Sequence, residues 1–151
     1  MGYISELRKI EGVGHRTLLM PCACLIIGDG KGNILLQRRV DDGTWGYHGG
    51  SMEIDESVEE ALNREVREEL NIVPEEVALL GIYSGREYHH VYPNGDEVSP
   101  VDIVHFCHKY RGEIKLQEDE VSEVGWFNKG NLPNLVTGHR RAIHDYLARF
   151  E

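Results

Sequence analysis

The stretch from Gly50 to Ile72 compresses a turn, a helix start, a carboxylate cluster and a helix stop into one short segment, and it limits what the whole chain can fold into. Ser57-Val-Glu-Glu60 has the spacing of a capping box, in which the serine oxygen accepts an orphan backbone N–H and the glutamate reaches back. A helix is therefore predicted to start there. Val58, Ala61, Leu62, Val66 and Leu70 recur at spacings of three and four, a stripe that needs a sheet to lie on. At roughly 100° per residue, Glu65, Glu68 and Glu69 fall within about 100° of arc on another edge. Carboxylates so close repel and raise one another's pKa unless a cation sits among them. Their hard oxygens suit Mg²⁺ or Mn²⁺ better than zinc, which prefers nitrogen and sulfur.

Gly50, Glu56, Arg64, Glu65, Val66, Glu68, Glu69 and Ile72 stand at the spacing of the signature of a known family, the Nudix hydrolases, which this sequence resembles. One position inside the box departs. Asn71 stands where the family has glycine, at a helix end that calls for a left-handed residue, and asparagine is the next most tolerant choice. A Glu-rich helix face is ordinarily just solvated. The fixed Gly, Glu and Arg positions favour the metal reading here.

The resemblance implies a fold and a chemistry. The fold class would be α/β, a Nudix-type α/β/α sandwich around a mixed β-sheet, formed by residues 1–151 as a single domain. The chemistry would be Mg²⁺-dependent (or Mn²⁺-dependent) hydrolysis of a phosphoanhydride bond in a nucleoside diphosphate linked to another group. Glu65, Glu68, Glu69 and the carbonyl of Gly49 would hold the metal, and Arg64 would orient the carboxylates. A loop carboxylate between 117 and 123 would complete the site or serve as base, with Glu120 first and Glu118 and Glu123 open. Arg38 and Arg39 would lie near the substrate cleft, or simply at a solvent-facing strand end. Tyr88 lies near where dinucleoside polyphosphate hydrolases carry a tyrosine, or is a plain strand aromatic; the proline that accompanies ADP-ribose hydrolysis in relatives is absent. ADP-ribose or another nucleotide sugar, dinucleoside polyphosphates and nucleoside triphosphates all stay open as substrates. A nucleotide-sensing module without hydrolysis is the alternative, and it fits less well because such modules tend to lose box carboxylates that are all present here. The family's Trp-x-x-Pro-Gly-Gly approach appears as Trp45-Gly-Tyr-His48-Gly-Gly50, so an imidazole replaces proline; its role is open between a substrate or metal contact and drift on a loop.

Composition narrows the partners. A formal net charge of −10 argues against a nucleic-acid backbone or an anionic membrane as main partner, since both would be repelled at long range. Cys22, Cys24 and Cys107 read as reduced core thiols, and with no apolar run of membrane length and no signal-peptide core the expected location is the cytoplasm. A homodimer stays open.

Along the chain, residues 1–16 read as a short helix or edge segment covering a sheet edge or a second subunit. Thr17–Gly28 and Ile34–Gln37 read as a hairpin around Asp-Gly-Lys-Gly-Asn. Val77–Ser84, Glu87–Tyr92 and Val98–Tyr110 read as strands, with a turn at Asn94-Gly95. Pro100 would interrupt a central ladder, so its strand should begin after it or lie at an edge until there. Glu113–Leu116 and Val124–Phe127 read as two more strands, and His139–Phe150 as a helix covering the sheet face opposite the first. His89, His90, His105 and His108 lack the local spacing of a closed zinc site and read as sheet-surface residues.

Overall fold

The computed structural model describes residues 2–150. Met1 and Glu151, the ends of the expected domain, lie outside the described residues. Ten strands and three α-helices follow in order: α1 (Tyr3–Arg8), β1 (Leu18–Gly28), β2 (Ile34–Arg39), β3 (Trp45–Gly46), β4 (His48–Ser51), α2 (Val58–Leu70), β5 (Val73–Glu75), β6 (Ala78–Tyr83), β7 (His90–Val91), β8 (Glu97–Cys107), β9 (Lys109–Arg111), β10 (Val121–Phe127) and α3 (Arg140–Arg149).

The main sheet runs β10-β2-β1-β8-β6, with β3 on β2, β4 on β1 and β7 on β8. It is mixed: β1 and β8 are parallel from Leu18↔Val98 to Ile27↔Cys107, and the other pairs are antiparallel. Alternation along β1 sends its side chains to two cores. Cys22, Cys24 and Ile26 join the face covered by α3 through Ala142, Ile143, Tyr146 and Leu147. Ala23, Leu25 and Ile27 join the face covered by α2 through Ala61, Leu62, Val66 and Leu70. This is the expected α/β/α sandwich, and each fully buried Leu or Ile in it is worth roughly 1.5–3 kcal/mol relative to exposure.

Local signals place α2 as anticipated. Ser57 accepts from the N–H of Glu60, and Glu60 accepts in turn from the N–H of Ser57. At the other end Asn71 is left-handed, with φ 62°, and its N–H caps onto the Arg67 carbonyl. The two buried thiols on β1 share a face, and all three cysteines are free. Among the described residues, no helix is long and apolar enough to cross a membrane.

Several segments differ from their sequence pattern. Glu87–Tyr92 is not one strand: Arg86–Tyr88 turn in a 3-10 helix, and only His90–Val91 pair with β8. The turn follows Gly85, whose φ of 120° redirects the chain. Glu113–Leu116 forms no ladder; the N–H groups of Lys115 and Gln117 bond instead to the carbonyls of Leu70 and Glu69 at the end of α2. β8 begins three residues before Pro100, and the proline is tolerated because no residue is registered on its outer side between the ladders of β7 and β6. His105 is buried, whereas His108 is exposed as expected and bonds the Tyr146 hydroxyl. The short strands β3, β4 and β5 have no counterpart in the sequence pattern, Pro74 sits inside β5, and the run Val98–Tyr110 breaks at His108 into β8 and β9. Helix α1 is tied to the start of β8 by Arg8, whose guanidinium donates to the Glu97 carbonyl.

Candidate active site

Glycine geometry brings the loop onto the helix. Gly49 has φ 130°, and a Cβ there would collide with the carbonyl oxygen of Ala23 on β1. A Cβ on Gly50 would stand 2.6 Å from the Glu65 carboxyl group. Two bare residues therefore let β4 pass between β1 and the acidic edge of α2.

The three box glutamates are not equivalent. Glu69 is only 4% exposed. It accepts from the N–H of Gly49 at 2.8 Å and from the Gln37 amide at 3.0 Å. Burial pushes its pKa up to about 8, against the pull of those two hydrogen bonds and with the charges of Glu65 and Glu120 adding to the rise. Glu65 is raised too, first by burial, with Arg64 pulling down and Glu68 and Glu120 pushing up. Glu68 is 53% exposed and lies 3.7 Å from Arg64.

Arg64 holds the carboxylates in a fork. Its Nε and one terminal nitrogen donate to both oxygens of Glu56, at 2.7 and 2.9 Å. The other terminal nitrogen donates to Glu65 at 2.8 Å, and the Ser51 carbonyl takes a further bond. The guanidinium holds the Glu56 carboxyl below its usual range. This is an orienting arrangement, with the planar donor set used for bidentate contact.

Behind Glu69 lies a pair that sequence reading missed. The fully buried His48 places Nδ1 2.6 Å from Gln37 Oε1 and Nε2 2.9 Å from the Leu35 carbonyl. Burial lowers its pKa to about 4. One signal was available: Gln37 is a polar residue closing the apolar run Ile34-Leu-Leu.

A cleft of about 690 Å³ has Gly49, Gly50, Glu69 and Glu120 on its wall together with Arg39, Tyr47, Tyr88, Asp102 and His139. Glu65 and Glu68 are not part of the wall. Tyr47 donates its hydroxyl to Asp102, whose pKa burial raises, and stacks on His139 with ring centroids 3.7 Å apart. Arg39 lines the cleft, paired with Asp41, whereas Arg38 lies off the wall and pairs with Glu123 on β10. Of the loop carboxylates, Glu120 reaches the wall, joined by Asp119; Glu118 does not, and Glu123 is committed to Arg38. Tyr88 is buried on the cleft wall in the 3-10 turn.

Among the described residues, no three His, Cys, Asp or Glu side chains close around a single point. Glu65, Glu69 and the Gly49 backbone nonetheless offer oxygen donors, and the charge of Glu120 pushes the pKa of both Glu65 and Glu69 up, so these groups fit a hard divalent cation.

The fold is an α/β/α sandwich whose cleft carries Glu69 of the acidic helix beside Gly49 and Glu120. The NUDIX domain family matches residues 18–146. The chain is 36% identical over 147 residues to an ADP-ribose pyrophosphatase of Methanocaldococcus jannaschii, covering 93% of this chain and 82% of that protein. It is 32% identical over 129 residues to the nucleoside triphosphatase NudI of Escherichia coli, covering 78% and 85%. The crystal structure of a MutT Nudix hydrolase from Burkholderia pseudomallei superposes with a TM-score of 0.70 at 31% identity, over 84% of this chain and 97% of that one. The fold also matches the Nudix domain of Shewanella oneidensis NrtR complexed with ADP ribose, with a TM-score of 0.67 at 22% identity and all of both chains covered. The chain belongs to the Nudix family, as a MutT-like pyrophosphohydrolase acting on nucleotides.

Proposed function

We propose that the protein is a Mg²⁺-dependent (or Mn²⁺-dependent) hydrolase of ADP-ribose or a closely similar nucleoside diphosphate sugar. The observation that carries this reading is the cleft whose wall brings Gly49, Glu69 and Glu120 together with a Tyr47–Asp102–His139 group. Its volume lies in the range of small-molecule sites. The long match to an ADP-ribose pyrophosphatase supports the same substrate.

Glu65, Glu68, Glu69 and the Gly49 carbonyl would hold the metal. When bound, the cation neutralises diphosphate charge and makes water a better nucleophile at neutral pH. The chain's own residues do the rest. Arg64 keeps Glu56 and Glu65 aimed. Glu120, on the cleft wall, takes the proton as water attacks one phosphorus in line and the P–O bond to the second phosphate breaks, and Arg39 on the same wall serves the diphosphate. The Tyr47, Tyr88 and Asp102 part of the wall binds the group beyond the diphosphate: the Asp102 carboxylate accepts from its hydroxyl or amino donors, and buried Tyr88 packs against it. Residues 1–151 would work as one domain, in the cytoplasm given three free buried thiols, with a homodimer formed across the exposed Leu79 and Ile82 of edge strand β6.

Incubation with ADP-ribose, dinucleoside polyphosphates and nucleoside triphosphates, each with and without Mg²⁺, tests the proposal. The expected result is AMP and ribose 5-phosphate from ADP-ribose at the highest kcat/KM, abolished by chelator. Cleavage of triphosphates with ADP-ribose untouched would overturn the substrate; tight binding with no cleavage of any would make the protein a sensing module.

A further inference from the structure

His48 stands where the Nudix resemblance has proline, and a fully buried imidazole is a costly group to place without a task. Its surroundings define one. Glu69 is held at both carboxylate oxygens, Oε1 by the Gly49 N–H and Oε2 by the Gln37 amide nitrogen. Gln37 has a single orientation that serves an ionised Glu69: nitrogen toward the carboxylate, oxygen away. Its Oε1 then needs a donor, and the nearest group is His48 Nδ1 at 2.6 Å. The other ring nitrogen lies 2.9 Å from the Leu35 carbonyl; a neutral imidazole has a single N–H, and the tautomer that serves Gln37 carries it on Nδ1. Leu35 and Gln37 lie two apart on β2, and His48 begins β4, so the whole chain of contacts is carried by the sheet and not by a loop. A proline at 48 could supply no such donor.

We propose that His48 is a positioning residue for the metal site: through Gln37 it fixes the amide orientation that aims the Glu69 carboxylate at the cleft, a role no proline in this place can fill. The inference deepens the proposed function and rests on Glu69 being a metal ligand. Partners of this kind typically change metal affinity by about 10–100-fold when removed.

Asparagine and glutamine separate the two ring nitrogens. The amide nitrogen of asparagine overlays Nδ1 and can still donate to Gln37; that of glutamine overlays Nε2 and reaches only toward Leu35. The test compares H48N, H48Q, Q37L and the double variant H48Q/Q37L in the full chain. Mg²⁺ affinity is measured by calorimetry without substrate, and the exchange of the Gln37 side-chain amide protons by NMR without metal. H48N should bind Mg²⁺ close to wild type and keep slowly exchanging Gln37 protons. H48Q should bind roughly tenfold or more weakly, with fast exchange. The double variant should be no weaker than Q37L alone, because His48 acts only through Gln37. Equal behaviour of H48N and H48Q, or additive losses in the double variant, would overturn the proposal, since a residue that merely fills space would give either. If wild type bound no Mg²⁺ yet the exchange pattern followed the prediction, the metal reading would fall while the orienting chain stood.

Discussion

Gly50 and Glu65 occupy space that admits no side chain between them, a Cβ at 50 standing 2.6 Å from the glutamate's carboxyl. The backbone of Gly50 is not in the left-handed region, so alanine is accepted there conformationally and the strain falls on the flexible end of Glu65. Gly50→Ala should therefore leave chemical denaturation within about 1 kcal/mol of wild type while displacing one carboxylate. Hydrolysis should fall at least tenfold, as misplacement by about an ångström can cost 10²-fold. Unchanged kcat/KM would show that Glu65 has no need of its present place.

Arg64 bridges Glu56 and Glu65 with a planar fork, a geometry lysine cannot copy. Arg64→Lys keeps the charge and should still lower kcat roughly 10–100-fold, with KM for the nucleotide little moved because the side chain touches carboxylates and not substrate. A rise in KM at constant kcat would instead place Arg64 on the substrate.

The helix end at Asn71 combines a left-handed backbone with a 3.2 Å bond from its amide to the Glu113 carbonyl. Asn71→Gly relieves the first and loses the second, so the two effects should cancel to within about 1 kcal/mol. Asn71→Ala loses both advantages and should cost roughly 1–2 kcal/mol. Denaturant midpoints for the pair check this, and equal losses would mean the side-chain bond alone matters.

His139 packs half-buried against Tyr47 and Gly46, and desolvation first, then the charges of Arg39, His90 and His48, lowers its pKa to about 3. Its folded value is below its unfolded value, so the unfolded chain binds more protons as pH falls through about 6.5 toward 3, and stability is lost in that window. The loss approaches 1.4 kcal/mol per pH unit for one such group. Urea unfolding of wild type and His139→Gln at pH 7, 6, 5 and 4 should show a shallower acid slope in the variant. Parallel slopes would mean that His139 is already solvated.

What the sequence disclosed was local. Ser57 with Glu60, the stripe ending at Leu70 and the left-handed Asn71 are each fixed by neighbours three or four residues away, and each stands as expected. What it hid was long-range. Gln37, His48 and Glu69 meet across separations of 11 and 32 residues, and Tyr47 meets Asp102 across 55, which no spacing within one element can announce. Arg38 and Arg39 looked equivalent, and only the pairing of β2 with β10 commits Arg38 to Glu123. The alternation at Glu113–Leu116 reads as a strand, yet the segment pairs with no ladder and bonds to the carbonyl end of α2, a partner that only tertiary placement supplies.

The central claim is that Glu69 is an anionic metal ligand on the wall of a hydrolytic cleft, and one comparison tests it most directly. Glu69→Gln keeps the size and can keep the contact with the Gly49 N–H, so the fold should persist, while a hard cation loses a charged ligand. Initial rates of ADP-ribose hydrolysis with saturating Mg²⁺ should drop by more than the roughly 10²–10⁴-fold that a single acid–base group explains, and the exposed Glu59→Gln on the same helix should hydrolyse at the wild-type rate. Wild-type turnover by folded Glu69→Gln would contradict the assignment of the site.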